Sequence, residues 1–377
     1  MNEQQALSKM KAPSDLRPTI WRGGVLQIHI TRACDKACFG CTQGSNLGGK
    51  PVMMTVEQLD EALHSIKGYF GVVGIFGGNP VLNPDFYAMC ELLRWHFPHE
   101  QRGLWCNHPK GMGAVCRQTF CPEVSNLNVH LDREAYDEFA KDWPESIPVL
   151  KGLGHHLDRA LYDDLCGDFI KCRDLMAGMG IRIDREKFND FCRGWPECLG
   201  VIDGLGHWPE AVGLGPDRVG DSRHAPPFVA MQDVVPDESK RWELIAGCDV
   251  NQFWSSMICV FRGELRAYFC ELAAAQAMLH QNEPDYPDLG LPLTPGWWKQ
   301  GMDAFGAQVR YHCHACGIPL RGYGNLAIGG TTEQVSETHR SIYNPKTRGR
   351  SVQVVTDLVQ LGNPLERATD YVQNGAK

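Results

Sequence analysis

No stretch of the 377-residue chain is apolar for long enough to span a membrane. The opening residues, M-N-E-Q-Q-A-L-S-K-M-K, hold no apolar h-region, so no secretory signal is expected. Basic residues are not in excess: 37 Lys and Arg stand against 45 Asp and Glu, for a net charge of −8. That balance argues against a broad basic face for duplex nucleic acid. These absences predict a soluble, cytoplasmic protein with no membrane partner. They also make a disulfide framework a poor explanation for the one residue type in clear surplus, cysteine, of which there are 16.

Three of these cysteines, Cys34, Cys38 and Cys41, lie in the run T-R-A-C-D-K-A-C-F-G-C-T, just after the apolar stretch Val25–Ile30. A cube of four irons held by three thiolates keeps one iron open to a ligand, which is where chemistry can occur. The same triplet could instead contribute to a zinc site, which needs four N or S ligands. It could also belong to an electron-transfer cluster completed by a distant cysteine.

Patterning predicts alternating strands and helices over 25–143. The expected strands are Val25–Ile30, Gly71–Phe76, Gly103–Asn107 and Leu127–Leu131. The expected helices are Thr55–Tyr69, with Thr55 as N-cap, and Asp85–Phe97, with Asp85 capping or favouring its first turn. Such alternation implies α/β architecture, a parallel sheet and ligands at the carboxyl ends of its strands. Phe228–Val235 is expected to be the last strand of this unit, followed by a helix starting at Pro236-Asp237-Glu238.

The triplet's spacing, its place after a first strand, and the segment Gly77-Gly78-Asn79-Pro80 after the second resemble the radical S-adenosylmethionine (SAM) superfamily. The resemblance implies a partial (β/α)6 TIM-like barrel and a 4Fe–4S cluster on Cys34, Cys38 and Cys41, with SAM chelating the open iron. It further implies a flavodoxin- or ferredoxin-like electron donor. In the family, the backbone of a G-G-E-P segment takes the SAM ammonium, which points to Gly77, Gly78, Asn79 and Pro80. Asn79 replaces the usual Glu and leaves only backbone contacts for that role. Gly40 stands where the family has an aromatic residue, which moves to Phe39. Asn107 resembles the Asn that often closes the third strand, and Asn128 or His130 would touch SAM from the fourth. For Asn128 and His130, an ordinary strand residue satisfied by its neighbours is an equal alternative.

The C-terminal third carries Cys248, Cys259, Cys270, Cys313 and Cys316, and the segment C-V-F-R-G-E-L-R-A-Y-F-C reads as a hairpin turning at Arg262-Gly263. This is similar to the SPASM and twitch extensions of radical SAM enzymes. The likeness implies an auxiliary 4Fe–4S cluster on Cys248, Cys270, Cys313 and Cys316, in the shorter twitch form because no cysteine follows Cys316. A zinc ribbon on the same four residues is the alternative, and Cys259 is a substitute ligand because the hairpin-to-cysteine gap is long.

The expected organisation is a polar leader (1–24), the barrel (25–245, with an insertion at 144–225) and a small cysteine-rich α+β domain with a tail (246–377). The insertion contains a near-repeat, Gly152-Leu153-Gly154-His155 and Gly204-Leu205-Gly206-His207, and the pairs Cys166/Cys172 and Cys192/Cys198. It has no C-x-x-C, so structural or substrate-loop roles are expected there rather than a metal site. His339, Arg340, Lys346, Arg348 and Arg350 form a local basic segment. It reads as a solvated charge run, or else as a phosphate-binding patch.

The implied activity is cleavage of SAM to a 5′-deoxyadenosyl radical that takes hydrogen from a small polar or nucleotide-linked substrate, in an isomerase or an oxidoreductase. Isomerisation of a hypermodified base is one alternative. Peptide maturation is another, disfavoured by the 24 residues ahead of the first strand. A non-catalytic Fe–S or zinc protein is the last. Asp132, His155, His207 and His224 are acid–base candidates without a spacing constraint.

Overall fold

The computed structural model describes residues 1–15, 24–35, 41–45, 47, 51–128, 133–151, 159–178, 183–194, 227–248, 250–251, 256–320, 332–342 and 351–361. Expectations resting on Cys38, His130, Asp132, His155, His207, His224, Cys198, Lys346, Arg348 and Arg350 lie outside these residues.

The chain opens with a short helix, α1 (Glu3–Leu7), and reaches the first strand, β1 (Val25–Thr31). Then come α2 (Val56–Ser65), β2 (Val72–Gly77), α3 (Phe86–His96), β3 (Arg102–Cys106), α4 (Gly113–Thr119) and β4 (Asn126–Asn128). Next are α5 (Arg133–Asp142), β5 (Leu150–Lys151), α6 (Arg159–Cys166), α7 (Phe169–Gly178) and α8 (Arg185–Phe191). Thr55 caps α2 through a reciprocal pair with Gln58, as its T-x-x-Q sequence dictates. Asp85 makes no side-chain cap to α3. Its backbone, at φ −95° and ψ 11°, is not the extended form a capping residue takes, and its own amide donates to Asn83 Oδ1 at 3.0 Å.

Strand order is β5-β4-β3-β2-β1-β6-β7, where β6 (Met257–Phe261) and β7 (Glu264–Tyr268) form a hairpin. All neighbouring strands pair in parallel except β6 with β7. Strands β1 to β5 advance in one direction, and neighbouring helices α2, α3, α4 and α5 touch in sequence. Right-handed crossovers stepping one way stack helices on a single face. Leu26, Ile28 and Ile30 of β1 join the core that includes Leu59 and Leu63 of α2. By alternation, Gln27 and His29 occupy the opposite face.

The hairpin turns where expected. Arg262 and Gly263 both have positive φ, 49° and 86°, the backbone of a type I′ turn. It is not set apart from the main sheet, since Gln27 and Ile28 of β1 pair with Met257 and Ile258. Phe228–Val235 is not a strand. Met231–Val234 forms a helical turn, α9, leading to α10 (Glu238–Ala246), which Asp237 caps. Met231 and Val234, three apart, are buried while Gln232 and Asp233 between them face outward, a helical rather than a two-residue period. Asp233 then accepts from the Thr338 amide and hydroxyl. The strand that lies beside β1, on the side away from β2, is β6.

Helix α11 (Glu271–His280) is buried almost all round, and a π-turn at Val309–Cys313 follows further on. The short pair β8 (Thr332–Val335) and β9 (Ser351–Val354) forms a separate two-stranded sheet. The expected leader is docked: Ala6, Met10 and Ala12 are buried, and Asn251 clasps Lys11 by two backbone hydrogen bonds. Among the described residues no helix is long and apolar enough to cross a membrane.

Candidate functional site: two cysteine centres

The carboxyl ends of β1, β2 and β3 converge on the first cysteine loop. Gly78 and Asn79 donate their amides to Thr31 O and Ala33 O at 2.8 and 2.7 Å, stitching the β2 exit to the backbone that leads into Cys34. A Cβ on Gly77 would stand 2.2 Å from Thr31 O, and one on Gly78 would stand 2.3 Å from Ala33 O. Both neighbours are backbone, so neither can swing away. The glycine pair is therefore required by contact between two loops.

Asn79 is fully buried, and its Nδ2 donates to His108 O at 3.0 Å. It thus holds the β3 exit against the β2 exit, a side-chain role that its place in the motif did not reveal. Asn107 reaches the first cysteine, with Nδ2 3.5 Å from Cys34 Sγ, and Lys110 pairs with Asp35 at 2.7 Å. Arg32 is buried beneath the loop, where burial pulls down its pKa and the Cys41 thiol opposes that shift. Cys34 and Cys41 are both partly exposed, and no described cysteine is disulfide-bonded. Asn128 ends β4, paired with Lys151.

Replacing Asn79 by Asp keeps the shape but turns the donor at His108 O into an acceptor. The expected cost is about 1–3 kcal/mol, read as a lower urea midpoint at unchanged m-value. An unchanged midpoint would refute the clamp.

The face of the sheet away from the helices is mixed in character. His29, Phe76 and Trp105 form an edge-to-face ladder with centroids 6.4 and 6.3 Å apart. Gly74 and Gly103 admit the Trp105 ring, which a Cβ at either would meet within 2.5 Å. Gln27 Oε1, His29 Nε2 and Asn107 Oδ1 are buried and have no protein partner. Gln27 and His29 were not singled out from sequence. The signal was present in V-L-Q-I-H-I-T, where two polar residues alternate with apolar ones.

Burial, helped by the charge of Arg32, lowers the His29 pKa from 6.5 to about 3. The folded state keeps it neutral, while the unfolded chain takes up a proton below 6.5. Its stabilising contribution is therefore present above pH 6.5 and lost as pH falls toward 3. Between pH 6 and 4, His29→Gln should flatten the stability profile by up to ~1.4 kcal/mol per pH unit. Equal slopes for the two proteins in urea titrations would contradict this.

The second centre is a pocket lined by Cys248, Cys270, Cys313 and Cys316 together with Met10 and His312. The sequence places Cys248 and Cys270 far from the close pair Cys313 and Cys316, and the fold brings them together from the end of α10, the start of α11, and the π-turn with the residues just after it. Burial first, and then the neighbouring thiols, drive the Cys270 and Cys313 pKa values upward, and the same causes act on Cys316. Four such thiols cannot all ionise side by side without a cation among them, so the donor set suits a metal centre. The amides of Leu272 and Ile318 already bond to Cys270 and Cys316 and favour their thiolates.

Cys259 is elsewhere. It is fully buried in β6 opposite Arg266, and its charged neighbours are Asp288 and Arg266. That removes it as a substitute ligand. Among the described residues, Asp60, His64 and His96 are the group of three or more metal-capable side chains whose ligand atoms all lie within 4.8 Å of one another. They form a surface pairing between α2 and α3, with Asp60 Oδ1 3.3 Å from His64 and 3.1 Å from His96. The four thiols of the pocket are more widely spread. In the insertion, Cys192 Sγ lies 4.0 Å from Cys166 O, and no metal-capable trio forms there among the described residues.

In the expected basic segment, His339 is buried rather than solvated. Its ring bridges His280 and the Ala315 carbonyl, and Arg340 pairs with Glu337. No protein-family model matches the chain, and no curated protein matches its sequence.

Proposed function

We propose that the chain is a radical SAM enzyme with a second, auxiliary iron–sulfur centre, acting on a small polar or nucleotide-linked substrate. The observation that carries this reading is the convergence of Cys34, Gly77–Pro80 and Asn107 at the carboxyl ends of three successive parallel strands, with Cys41 near enough to act on Arg32 beneath the same loop. Cys34, Cys38 and Cys41 would hold the first cluster. Bound there, a 4Fe–4S cluster supplies the electron that cleaves SAM to methionine and a 5′-deoxyadenosyl radical.

The chain's own residues do the rest. The Gly77–Pro80 turn, fixed by its bonds to residues 31 and 33, offers carbonyls to an ammonium group. Asn107, beside Cys34, keeps a buried amide oxygen that has no protein partner and could bind a ligand. The stepwise β1–β5 order favours the partial (β/α)6 barrel as the form of the sheet, with His29, Phe76 and Trp105 along its inner wall. Aromatic edges beside unpaired imidazole and amide atoms favour a planar, hydrogen-bonding substrate, which keeps base isomerisation as the second reading. A reducing cytoplasm and a flavodoxin- or ferredoxin-like donor belong to the same proposal.

At the second centre, the resemblance to the twitch extensions favours a cluster over zinc. Cys270→Ala should therefore remove roughly four irons per chain, while Cys259→Ala should leave iron unchanged. Iron loss in Cys259→Ala would overturn the ligand assignment. The substrate class is tested by incubating deuterated candidates with the reduced enzyme. Deuterium in 5′-deoxyadenosine from a nucleotide-linked compound supports the reading, and transfer from peptides alone refutes it.

A further inference from the structure

His312 stands out because its hydrogen bonds leave one ring nitrogen unused inside the four-cysteine pocket. Its side chain is 1 % exposed, lines that pocket, and precedes Cys313 in the π-turn, a geometry often found at functional sites. The tautomer follows from the network around it. The Ala315 carbonyl can only accept, so Gln276 must turn its Nε2 toward it, at 3.3 Å. Gln276 Oε1 then faces His312 Nδ1 at 3.2 Å and needs a proton from it. Tyr286 Oη, 3.3 Å from the same nitrogen, can accept the same proton. With Nδ1 protonated, Nε2 of the neutral ring carries a lone pair, and it is buried without any hydrogen-bond partner.

We propose that His312 Nε2 is a ligand of the metal centre in the four-cysteine pocket, taking the place of one of the four thiolates, since a four-iron cube or a structural zinc ion takes four protein ligands. This rests on the reading of the pocket as a metal centre. The arrangement matches how ligating histidines are held elsewhere: the far nitrogen donates to a fixed carbonyl, which sets the tautomer and orients the ring. Gln276 is the positioning residue. It is itself buried, and it is tied to the carbonyl between Cys313 and Cys316, so ring and cysteine turn are held by one amide. An orphaned lone pair in an apolar interior is costly, and a metal ion among the thiols satisfies it.

The test uses the full chain with Cys34, Cys38 and Cys41 all changed to Ala, so that the pocket alone holds metal. Elemental analysis first identifies the metal, and iron or zinc decides between the cluster and ribbon readings independently of His312. If the metal is iron, pulsed EPR of the reduced protein labelled with 15N-histidine should show a directly bound imidazole nitrogen. If it is zinc, X-ray absorption should show imidazole scattering in the metal's shell. In either case His312→Gln should abolish the signal, and Gln276→Leu should weaken or shift it while leaving metal bound. A metal-loaded pocket with no imidazole signal overturns the proposal. So does a signal that persists in His312→Gln.

Discussion

Cys34→Ala and Cys41→Ala are each expected to lose about four irons per chain and to bring 5′-deoxyadenosine formation down to background, because a cube held by two thiolates is not retained. The second centre should stay loaded, since its thiols come from α10, α11 and the π-turn and share no ligand with the first loop. Each variant should therefore keep roughly half the iron of the parent and a normal unfolding midpoint. The iron count and the product assay must fall together. Full 5′-deoxyadenosine formation in either variant would mean that the first loop does not carry the open iron.

Gly78→Ala is expected to have the largest effect on the fold near the site. Its Cβ would meet Ala33 O at 2.3 Å and the Arg32 carbonyl oxygen at 2.9 Å, both backbone atoms of the cysteine loop. Relief requires the two loops to separate, which breaks the amide bonds from Gly78 and Asn79 and displaces Cys34. Overpacking of this kind costs typically 1–3 kcal/mol, and the lost hydrogen bonds add about 1 kcal/mol each. The measurable outcome is a lower urea midpoint together with incomplete iron loading of the first centre. Gly263→Ala is the useful comparison. Unlike Gly78 it has a positive φ, 86°, but a Cβ there meets nothing within 4 Å, so it should destabilise mildly and leave both centres loaded. Normal iron in Gly78→Ala would show that the glycines do not position the cysteine loop.

The sheet was legible because β2 and β3 are short apolar runs ended by Gly, Asn or Pro, β1 is an alternating run that follows Gly23-Gly24, and α2 announces itself by its capping box. The hairpin was legible from Arg262-Gly263. Its place beside β1 was not, since parallel pairing between residues more than two hundred positions apart leaves no local pattern. The helical turn at Met231–Val234 was misread because a short apolar run fits either period, and burial of residues three apart decided it. At the site, cysteine spacing singles out the loops on which the proposal rests. The burial of Asn79 under His108, the unused nitrogen of His312 and the exclusion of Cys259 all depend on which face a side chain takes, and that is a tertiary outcome. His339 shows the same limit, because a charge-rich stretch conceals a residue packed against Phe228 and bonded to the cysteine turn.

The central claim is an open iron that cleaves SAM. Its most direct test is to reconstitute the full chain anaerobically with iron and sulfide, reduce it with dithionite, add SAM and measure 5′-deoxyadenosine. The account predicts product that depends on reductant and on SAM and is absent in Cys38→Ala. An iron-loaded, reduced protein that forms none would contradict it.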